Sequence, residues 1–397
     1  MRRAFIVGVN MTPFVKIGSR EWTYPEMVGE AVRGALGDAG IEYSQVQRAA
    51  AGYVFQPSAA GQRALYDVGL TGIPVVNVNN NCATGSTALM LAREWVAAGL
   101  VEVALAVGFE QMTKEAMAGP ATKPKATTVD AHLGVMRGQY DFGNAPITTQ
   151  FFGNAAIEHM KRYGTTEAQL AAVAVKNHEH STRNPLAQFQ DAYTLEQVLT
   201  DKPVHGPLTR SQCSPMSDGA AAAVVVSEEF VRAHGLEAQA IEILAQELAT
   251  DDGTSFSTGS MIDVVGAPMT RAAAGKVFAT AGLTVADVDV IELHDCFTIN
   301  ELITYEALGL CGAGESGALV ESGATTYGGT WVVNPSGGLI SKGHPLGATG
   351  LAQATELSWQ LRGLAGERQV PGARTALAHN LGLGGAVVVS LYAANTL

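Results

Sequence analysis

Residues 30–41 read EAVRGALGDAGI, and residues 271–283 read RAAAGKVFATAGL. Aligned on their last glycine, both segments predict an alanine-rich helix, a glycine that ends it, a short polar link and a strand. A second match lies at the far end of each half, where residues 218–227 resemble residues 384–390. Both of these predict a glycine turn that feeds a buried, valine-rich strand. Two matches in the same order indicate an internal duplication.

The duplication also locates an insertion, because the first half is much longer than the second. The alignment predicts an N-terminal half at 1–240, interrupted by an inserted lobe at 111–210, and a C-terminal half at 241–397. The lobe holds 10 of the 25 basic and 9 of the 37 acidic residues, so it is nearly neutral on an acidic chain. Its basic side chains are candidate contacts for an anionic substrate, and an ordinary solvated surface is the alternative. These candidates are Lys161, Arg162, Lys176, Lys114, Lys123, Lys125 and Arg137.

The composition argues against several functional classes. The chain has 397 residues, of which 47% are hydrophobic and 16% charged, and its net charge is −12. Such a chain has too few basic groups to neutralise nucleic-acid or lipid phosphates. No apolar run reaches the ~18 residues of a membrane span, and four cysteines without a CxxC pair favour a reduced, cytoplasmic protein. The alternation of predicted strands and helices favours an α/β fold with helices on both sheet faces.

The first segment that carries chemistry is VVNVNNNCATGSTALM at 75–90. An apolar strand enters a polar turn, and an apolar helix follows. This pattern predicts that Cys82 lies at a helix N-terminus, where the peptide dipoles would stabilise a nucleophilic thiolate. The alternative is a buried, inert cysteine.

A second segment, NPSGGLISKGHPLGATG at 334–350, is rich in glycine. Pro345 suits the first position of a helix, so His344 is held at the turn before it. A histidine there would polarise a carbonyl oxygen or accept a thiol proton. A structural histidine is the alternative.

The third and fourth segments are VIELHDCFTINE at 290–301 and AHNLGLGG at 378–385. The His-Asp-Cys run of the third lacks a second cluster to complete a zinc site. A proton-transfer pair fits it better, with Cys296 as the acid or base and His294 as a hydrogen-bond donor. The fourth lacks the helix and acidic residue of a dinucleotide fingerprint. It predicts a turn whose backbone N–H groups bind an oxyanion.

Together, these four segments resemble the thiolase family, and more narrowly its sterol-carrier-protein branch, which includes actinobacterial lipid-transfer and acetyl-CoA acetyltransferase proteins. The matching motifs are GGLISKGHPLGATG at 337–350, NNNCATGS at 79–86, HDCF at 294–297 and HNLGLGGA at 379–386. Ordinary thiolases carry an Asn-Glu-Ala motif in place of HDCF and a second catalytic cysteine at the last turn. Because His379 stands there in this chain, the resemblance implies that the second sulfur comes from Cys296.

The resemblance also implies a fold and an activity. The fold is two duplicated halves in five layers, α/β/α/β/α, with an inserted loop domain over the active site. The activity is CoA-dependent cleavage of a 3-ketoacyl-CoA, or the reverse Claisen condensation, in fatty-acid or sterol side-chain metabolism. Cys82, His344, His294 and Cys296 would be catalytic, while the backbone near Leu381 and Gly382, beside His379, would support the oxyanion. Lys161, Arg162 and Lys176 would be weaker candidates for CoA contacts.

The expected co-substrate is CoA, with no bound cofactor or metal, and the expected assembly is a homodimer or a dimer of dimers. Two other functions stay open from the sequence. One is a retro-aldolase of CoA-linked steroid side chains, which would need no acylated cysteine. The other is a non-catalytic acyl-CoA or lipid-binding protein, against which the four catalytic side chains argue.

Overall fold

The computed structural model describes residues 2–113, 126–394 and 396–397. Within these residues the centre of the molecule is a mixed sheet of eleven strands, and a two-stranded sheet (β6 and β7) lies apart from it. The strands are β1 (Ala4–Met11), β2 (Val15–Lys16), β3 (Arg48–Gly52), β4 (Val75–Val78), β5 (Val103–Glu110), β6 (Pro203–His205), β7 (Leu208–Thr209), β8 (Ser217–Ser227), β9 (Ile241–Ala249), β10 (Val290–Glu292), β11 (Val332–Val333), β12 (Thr375–Gly382) and β13 (Ala386–Ala394).

The two halves of the sheet repeat one strand order. The N-terminal half runs β4-β3-β5-β8-β1, and the C-terminal half runs β11-β10-β12-β13-β9. When the five strands of each half are numbered in chain order, both halves have the same spatial order: third, second, fourth, fifth, first. The halves meet where β1 and β9 pair antiparallel at Phe5–Glu242 and Ile6–Ile241. The repeated order confirms the predicted duplication.

The described helices alternate with these strands. They are α1 (Tyr24–Ala39), α2 (Ala60–Tyr66), α3 (Thr84–Ala97), α4 (Asp130–Arg137), α5 (Ile147–Tyr163), α6 (Glu167–Ser181), α7 (Leu195–Thr200), α8 (Glu228–His234), α9 (Thr254–Ser257), α10 (Met261–Val264), α11 (Ala267–Ala281), α12 (Thr298–Leu308), α13 (Ser316–Glu321), α14 (Gly338–Lys342) and α15 (Thr349–Leu361). The glycines that end α1 and α11, Gly40 and Gly282, both have left-handed φ angles, of 69° and 67°. The predicted helix ends are therefore confirmed in both copies.

The side chains of each half-sheet face two different cores, which produces the layers. In β5, Val103, Leu105 and Val107 pack with α1, while Ala104 and Ala106 pack with α3 and α15. Strands β10 and β12 divide their side chains in the same way between α15 and the outer helices of the C-terminal half. Helices α3 and α15 therefore form a central layer between the half-sheets, and α1 and α11 form outer layers. No described helix is both long and apolar enough to cross a lipid bilayer.

Helices α3 and α15 begin against one another. A Cβ atom on Gly85 would lie 2.8 Å from the carbonyl oxygen of Gly347, and one on Gly350 would collide with Ser86. Only glycine permits this approach, because any side chain at either position needs space that the opposite backbone fills. The contact brings together the two loops that precede these helices.

One predicted turn is wrong. Asp218 and Gly219 lie inside β8, which pairs with β5 as far as Gly219. The Asp218 carboxylate accepts hydrogen bonds from the backbone N–H of Met112 at 2.7 Å and of Gly18 at 3.1 Å. The strand continues here because backbone N–H groups of neighbouring loops, rather than those of a turn, satisfy the Asp218 carboxylate.

Candidate active site

The structure brings Cys82, His294, Cys296 and His344 to one cavity of about 620 Å³. Each follows the end of a strand or precedes a helix that the duplication places at the centre of the molecule. The rest of the lining is mainly apolar. It includes Phe55, Met112, Ile147, Phe152, Met216, Phe297, Leu346, Leu381 and Leu383.

Cys82 lies between β4 and α3, and its side chain is only partly exposed. Asn81 before it adopts a left-handed φ of 50°, and its amide donates to the carbonyl of Leu383 at 2.7 Å. Burial, reinforced by the nearby Glu110 carboxyl, raises the pKa of the Cys82 thiol to about 12. The predicted thiolate is therefore wrong for the free protein, because desolvation outweighs the helix N-terminus. A base must take the proton during attack.

His344 is placed to be that base. Its Nδ1 lies 2.7 Å from Thr349 Oγ1, and this hydroxyl donates its only hydrogen to the Pro345 carbonyl at 3.0 Å. This hydrogen-bond arrangement assigns the ring proton to Nδ1, which leaves a lone pair on Nε2. That Nε2 is buried and has no hydrogen-bond partner among the described residues. Burial and the charge of Lys342 lower the pKa of His344 to about 3, so the ring is neutral at rest.

His294 is held in the opposite way. The Asn380 side-chain amide donates to its Nδ1 at 3.1 Å, so the ring proton lies on Nε2. Burial lowers the pKa of His294 well below its ordinary value, and His344 and His379 lower it further. The rings of His294 and His344 are nearly perpendicular, with centroids 5.0 Å apart. One neutral imidazole thus accepts a proton while the other donates one.

The Cys82 sulfur and one nitrogen of each imidazole lie within 4.8 Å of one another. Sulfur and imidazole are ligands that zinc favours, but a structural zinc site has four ligands. These three are the one such group found among the described residues. The His294 imidazole already carries its ring proton on the side of this group, so the arrangement suits proton transfer better than metal binding.

Cys296 is buried in the same cavity wall. Burial raises its thiol pKa well above the ordinary value, and the proximity of Cys82, Asp295 and Cys213 raises it further. The backbone N–H of Ser214 donates to its carbonyl at 2.9 Å, which fixes the main chain. Cys296 therefore retains its proton and can act as an acid.

Comparison with known proteins gives the family of the chain. The thiolase N-terminal domain model matches residues 4–196, and the thiolase C-terminal domain-like model matches residues 252–391. Sterol carrier protein 2 of Gallus gallus is 57% identical over 99% of this chain and 72% of its own length. The chain belongs to the thiolase family.

Two other proteins extend this comparison. Acetyl-CoA acetyltransferase of Methanothermobacter thermautotrophicus is 37% identical over 99% of this chain and all of its own length. Among solved structures, the Ltp2–ChsH2(DUF35) aldolase superposes with a TM-score of 0.83 at 23% identity, covering 99% of this chain and 98% of its own. That likeness shows the fold alone.

Behind the HDCF motif lies a hydrogen-bond network that sequence reasoning missed. The Asp295 carboxylate accepts the backbone N–H groups of Leu339 at 2.7 Å and Ile340 at 3.2 Å, and the amide of Asn177 at 2.8 Å. It thereby ties the loop of His294 to the segment that leads to His344. The aspartate between two reactive residues was the signal available in the sequence.

The structure of the C-terminal motif, HNLGLGGA, differs from the predicted turn. Leu381 and Gly382 belong to β12, paired with Val387 and Ala386, rather than to an open turn. Leu381 lines the cavity, and a Cβ on Gly382 would collide with the Asn80 carbonyl beside Cys82. The motif therefore packs as a strand end directly against the nucleophile loop.

Both ring nitrogens of His379 are engaged within the protein. Nε2 lies 3.0 Å from Thr270 Oγ1, and Nδ1 accepts the backbone N–H of His294 at 3.4 Å. The His379 ring therefore supports the HDCF backbone, and oxyanion support from the backbone near Leu381 and Gly382 stays a prediction.

The predicted basic contacts do not gather at the cavity. Lys176 is buried, and its ammonium binds Glu301, Tyr305 and the Val333 carbonyl, so its prediction as a CoA contact is wrong. Lys161 and Arg162 lie at the exposed end of α5, on a separate cavity of about 1010 Å³. That end is about 20 Å along the helix from Ile147. Lys114, Lys123 and Lys125 lie outside the described residues.

Glu110 is a further buried group that sequence reasoning missed. It ends β5 and accepts the backbone N–H groups of Val54, Phe55 and Gly347, the last of these in the His344 loop. Burial raises the pKa of its carboxyl from 4.5 to about 7. The folded state therefore holds this proton more tightly than the unfolded state does.

A Glu110→Gln variant tests that linkage. Because the folded pKa is raised, wild-type stability loses Glu110's contribution as pH rises from 4.5 through 7, whereas glutamine does not titrate. We expect the stability of E110Q relative to wild type to improve by about 3 kcal/mol across that window. Denaturant unfolding at pH 5 and pH 8 measures it. A difference between the two proteins that stays constant with pH contradicts the assignment.

Proposed function

We propose that this protein is a CoA-dependent acyltransferase of the thiolase type, which cleaves 3-ketoacyl-CoA or runs the reverse Claisen condensation. The observation that carries the proposal is the convergence of Cys82, His344, His294 and Cys296 on one cavity, with an unpartnered, buried His344 Nε2. The identity to an acetyl-CoA acetyltransferase supports it. Fatty-acid or sterol side-chain metabolism is the setting we propose.

In the first step the Cys82 sulfur attacks the 3-keto carbon, and its proton passes to His344 Nε2. The carbonyl oxygen becomes an alkoxide that accepts from His294 Nε2–H. The new imidazolium of His344 is also a donor at Nε2. The proton that His344 takes from Cys82 therefore makes His344 a second hydrogen-bond donor to the alkoxide that the attack creates.

In the second step the bond between C2 and C3 breaks, and its electron pair forms an enolate on the departing acyl-CoA. The Cys296 thiol gives its proton to C2, and the acyl group stays on Cys82. CoA then loses its thiol proton to the Cys296 thiolate and attacks the acyl-enzyme. The Cys82 thiolate leaves and recovers its proton from His344, which restores the starting state.

The decisive experiment is intact-protein mass spectrometry after incubation with a panel of 3-ketoacyl-CoAs. We expect a mass increase equal to one acyl group, mapped to the peptide that contains Cys82. A Cys213→Ala variant is the matched control, because Cys213 lines the same cavity and has no role in the proposed steps. Absence of any acyl adduct across the panel, with turnover intact, would refute the covalent route.

The same incubations separate this function from the two alternatives. A retro-aldolase would release a carbonyl compound and an acyl-CoA without consuming CoA. A binding protein would retain acyl-CoA without an adduct or product. The proposed acyltransferase consumes one CoA for each 3-ketoacyl-CoA cleaved.

We also propose CoA as co-substrate without a resident cofactor, a reducing cytoplasmic setting, and a homodimer or dimer of dimers. The four free cysteines support the setting. The assembly is supported by β4, which ends the sheet and leaves Val76 exposed, and by the exposed apolar side chains of Tyr66 and Leu70. Light scattering should give at least twice the 41.3 kDa of one chain. The domain division at 1–240, 111–210 and 241–397 is likewise our proposal.

A further inference from the structure

We infer that Asn380 is a positioning residue that fixes the tautomer of His294, so that the pair of active-site imidazoles consists of one proton donor and one acceptor. The inference rests on the proposed function and adds to it a residue that does not touch the substrate. It starts from the orientation of one buried amide.

The structure orients the Asn380 amide with its oxygen toward Ser86 and its nitrogen toward His294. Ser86 Oγ donates to Asn380 Oδ1 at 3.1 Å, and Asn380 Nδ2 lies 3.1 Å from His294 Nδ1. An amide nitrogen only donates, so His294 Nδ1 must accept. The imidazole hydrogen is then confined to Nε2, the nitrogen left to face the cavity.

The surroundings hold Asn380 in place. Its residue is fully buried in β12 and pairs with Val388 of β13. The preceding residue, His379, accepts the backbone N–H of His294, and its own carbonyl accepts from Gln353 at 3.0 Å. Both the backbone and the ring of His294 are therefore fixed from the same two residues of β12.

The tautomer matters because a neutral imidazole in water populates both forms. With the hydrogen on Nδ1, His294 would present a lone pair to the substrate oxygen, and two lone pairs would meet at Cys82. A catalytic histidine forced into the wrong tautomer has been found to lower turnover by about 10⁴-fold. Asn380 prevents that state without contributing charge.

An Asn380→Asp variant reverses the preference. A carboxylate only accepts, so the neutral ring must place its hydrogen on Nδ1, and the donor at Nε2 is lost. One added proton restores the Nε2 donor of His294. Nε2 carries a hydrogen whether that proton lies on the new carboxyl group or on the imidazole ring. The other titratable groups around His294 are His344, His379, Cys82 and Cys296, with Asp295 next to it in the chain and Glu110 near Cys82. The imidazoles are neutral and the thiols protonated near neutral pH. Burial raises the pKa of Asp295 to about 8 and that of Glu110 to about 7, but both groups are also present in wild type, so only the new carboxylate can give a pH response that wild type lacks.

We expect kcat/KM of N380D to be about 10²–10⁴-fold below wild type at high pH and to recover as pH falls, a recovery that wild type does not show. An Asn380→Leu variant, similar in size and unable to hydrogen-bond, should lose activity without that recovery. Equal losses at every pH in both variants would mean a merely structural role and overturn the inference.

A second measurement needs no turnover. Two-bond proton–nitrogen correlation spectra of the ¹⁵N-histidine-labelled wild-type protein report each ring's tautomer, and a His294→Gln variant assigns the signal. We expect Nε2–H for His294 and Nδ1–H for His344. Nδ1–H on His294 in wild type would refute the inference even if an acyl-enzyme forms. Nε2–H in wild type that changes to Nδ1–H in Asn380→Asp at high pH would uphold it even if none does, whereas Nε2–H in both proteins would refute it.

Discussion

Replacement of Cys82 by alanine is expected to lower kcat/KM for acetoacetyl-CoA and longer 3-ketoacyl-CoAs by about 10⁴–10⁶-fold, because removal of a nucleophile eliminates the covalent route. The cavity would remain intact, since the substitution removes only the thiol and leaves the apolar walls unchanged. Substrate should therefore still bind. Thiol release or consumption of the CoA thioester measures turnover, and calorimetric titration measures binding.

Cys213→Ala is the matched control for this experiment. It removes a second thiol from the same cavity and should leave kcat within a few fold of wild type. Wild-type-like turnover by Cys82→Ala would contradict the mechanism. A loss of the same size in both variants would instead trace the effect to the shape of the cavity.

A second large effect is expected from Cys296→Ala. This variant keeps Cys82, His344 and His294, so acylation of Cys82 should persist. It loses the thiol that protonates C2, and exchange of the α-protons of acetyl-CoA with deuterated solvent should fall by about 10²–10⁴-fold. Nuclear magnetic resonance of acetyl-CoA in deuterium oxide measures the exchange, and mass spectrometry follows the acyl-enzyme.

A Cys296→Ser variant refines that experiment. Serine retains a hydrogen that can be donated, but its hydroxyl is a weaker acid than a thiol, so an intermediate exchange rate is expected. Unchanged exchange in Cys296→Ala would remove Cys296 from its role. Loss of the acyl-enzyme as well would show that Cys296 supports the site before the bond between C2 and C3 breaks.

Much of the fold follows from local sequence. The alanine-rich α1 and α11, each ended by glycine, and the valine-rich β8 and β13 have patterns that do not depend on distant residues. Helix α5 was not predicted, because residues 149–156 are buried on every side and show no apolar stripe. A helix enclosed by neighbours loses the periodicity that identifies it.

The candidate site also has a part that local sequence predicts and a part that it does not. Motif residues such as Cys82 and His344 are visible because their neighbours in sequence form the turn that presents them. The ionisation of Cys82 could not be predicted in this way. Its thiol pKa depends on burial by chain segments far away in sequence, and the helix dipole alone predicted a pKa shift in the wrong direction. Lys176 was mistaken for a surface cation for the same reason, since its partner Glu301 is 125 residues away. The position of Asn380 beside His294 could not be predicted, because only the folded chain shows which groups its amide contacts.

The contact between Gly85 and Gly350 has a consequence for how such a protein can evolve. Cys82 precedes one of the abutting helices and His344 precedes the other, so the candidate site exists only where the two halves of the duplication touch. A half expressed alone would carry an incomplete set of these side chains. A side chain introduced at either glycine would have to be accommodated by the opposite half, so neither half can change at this contact independently of the other.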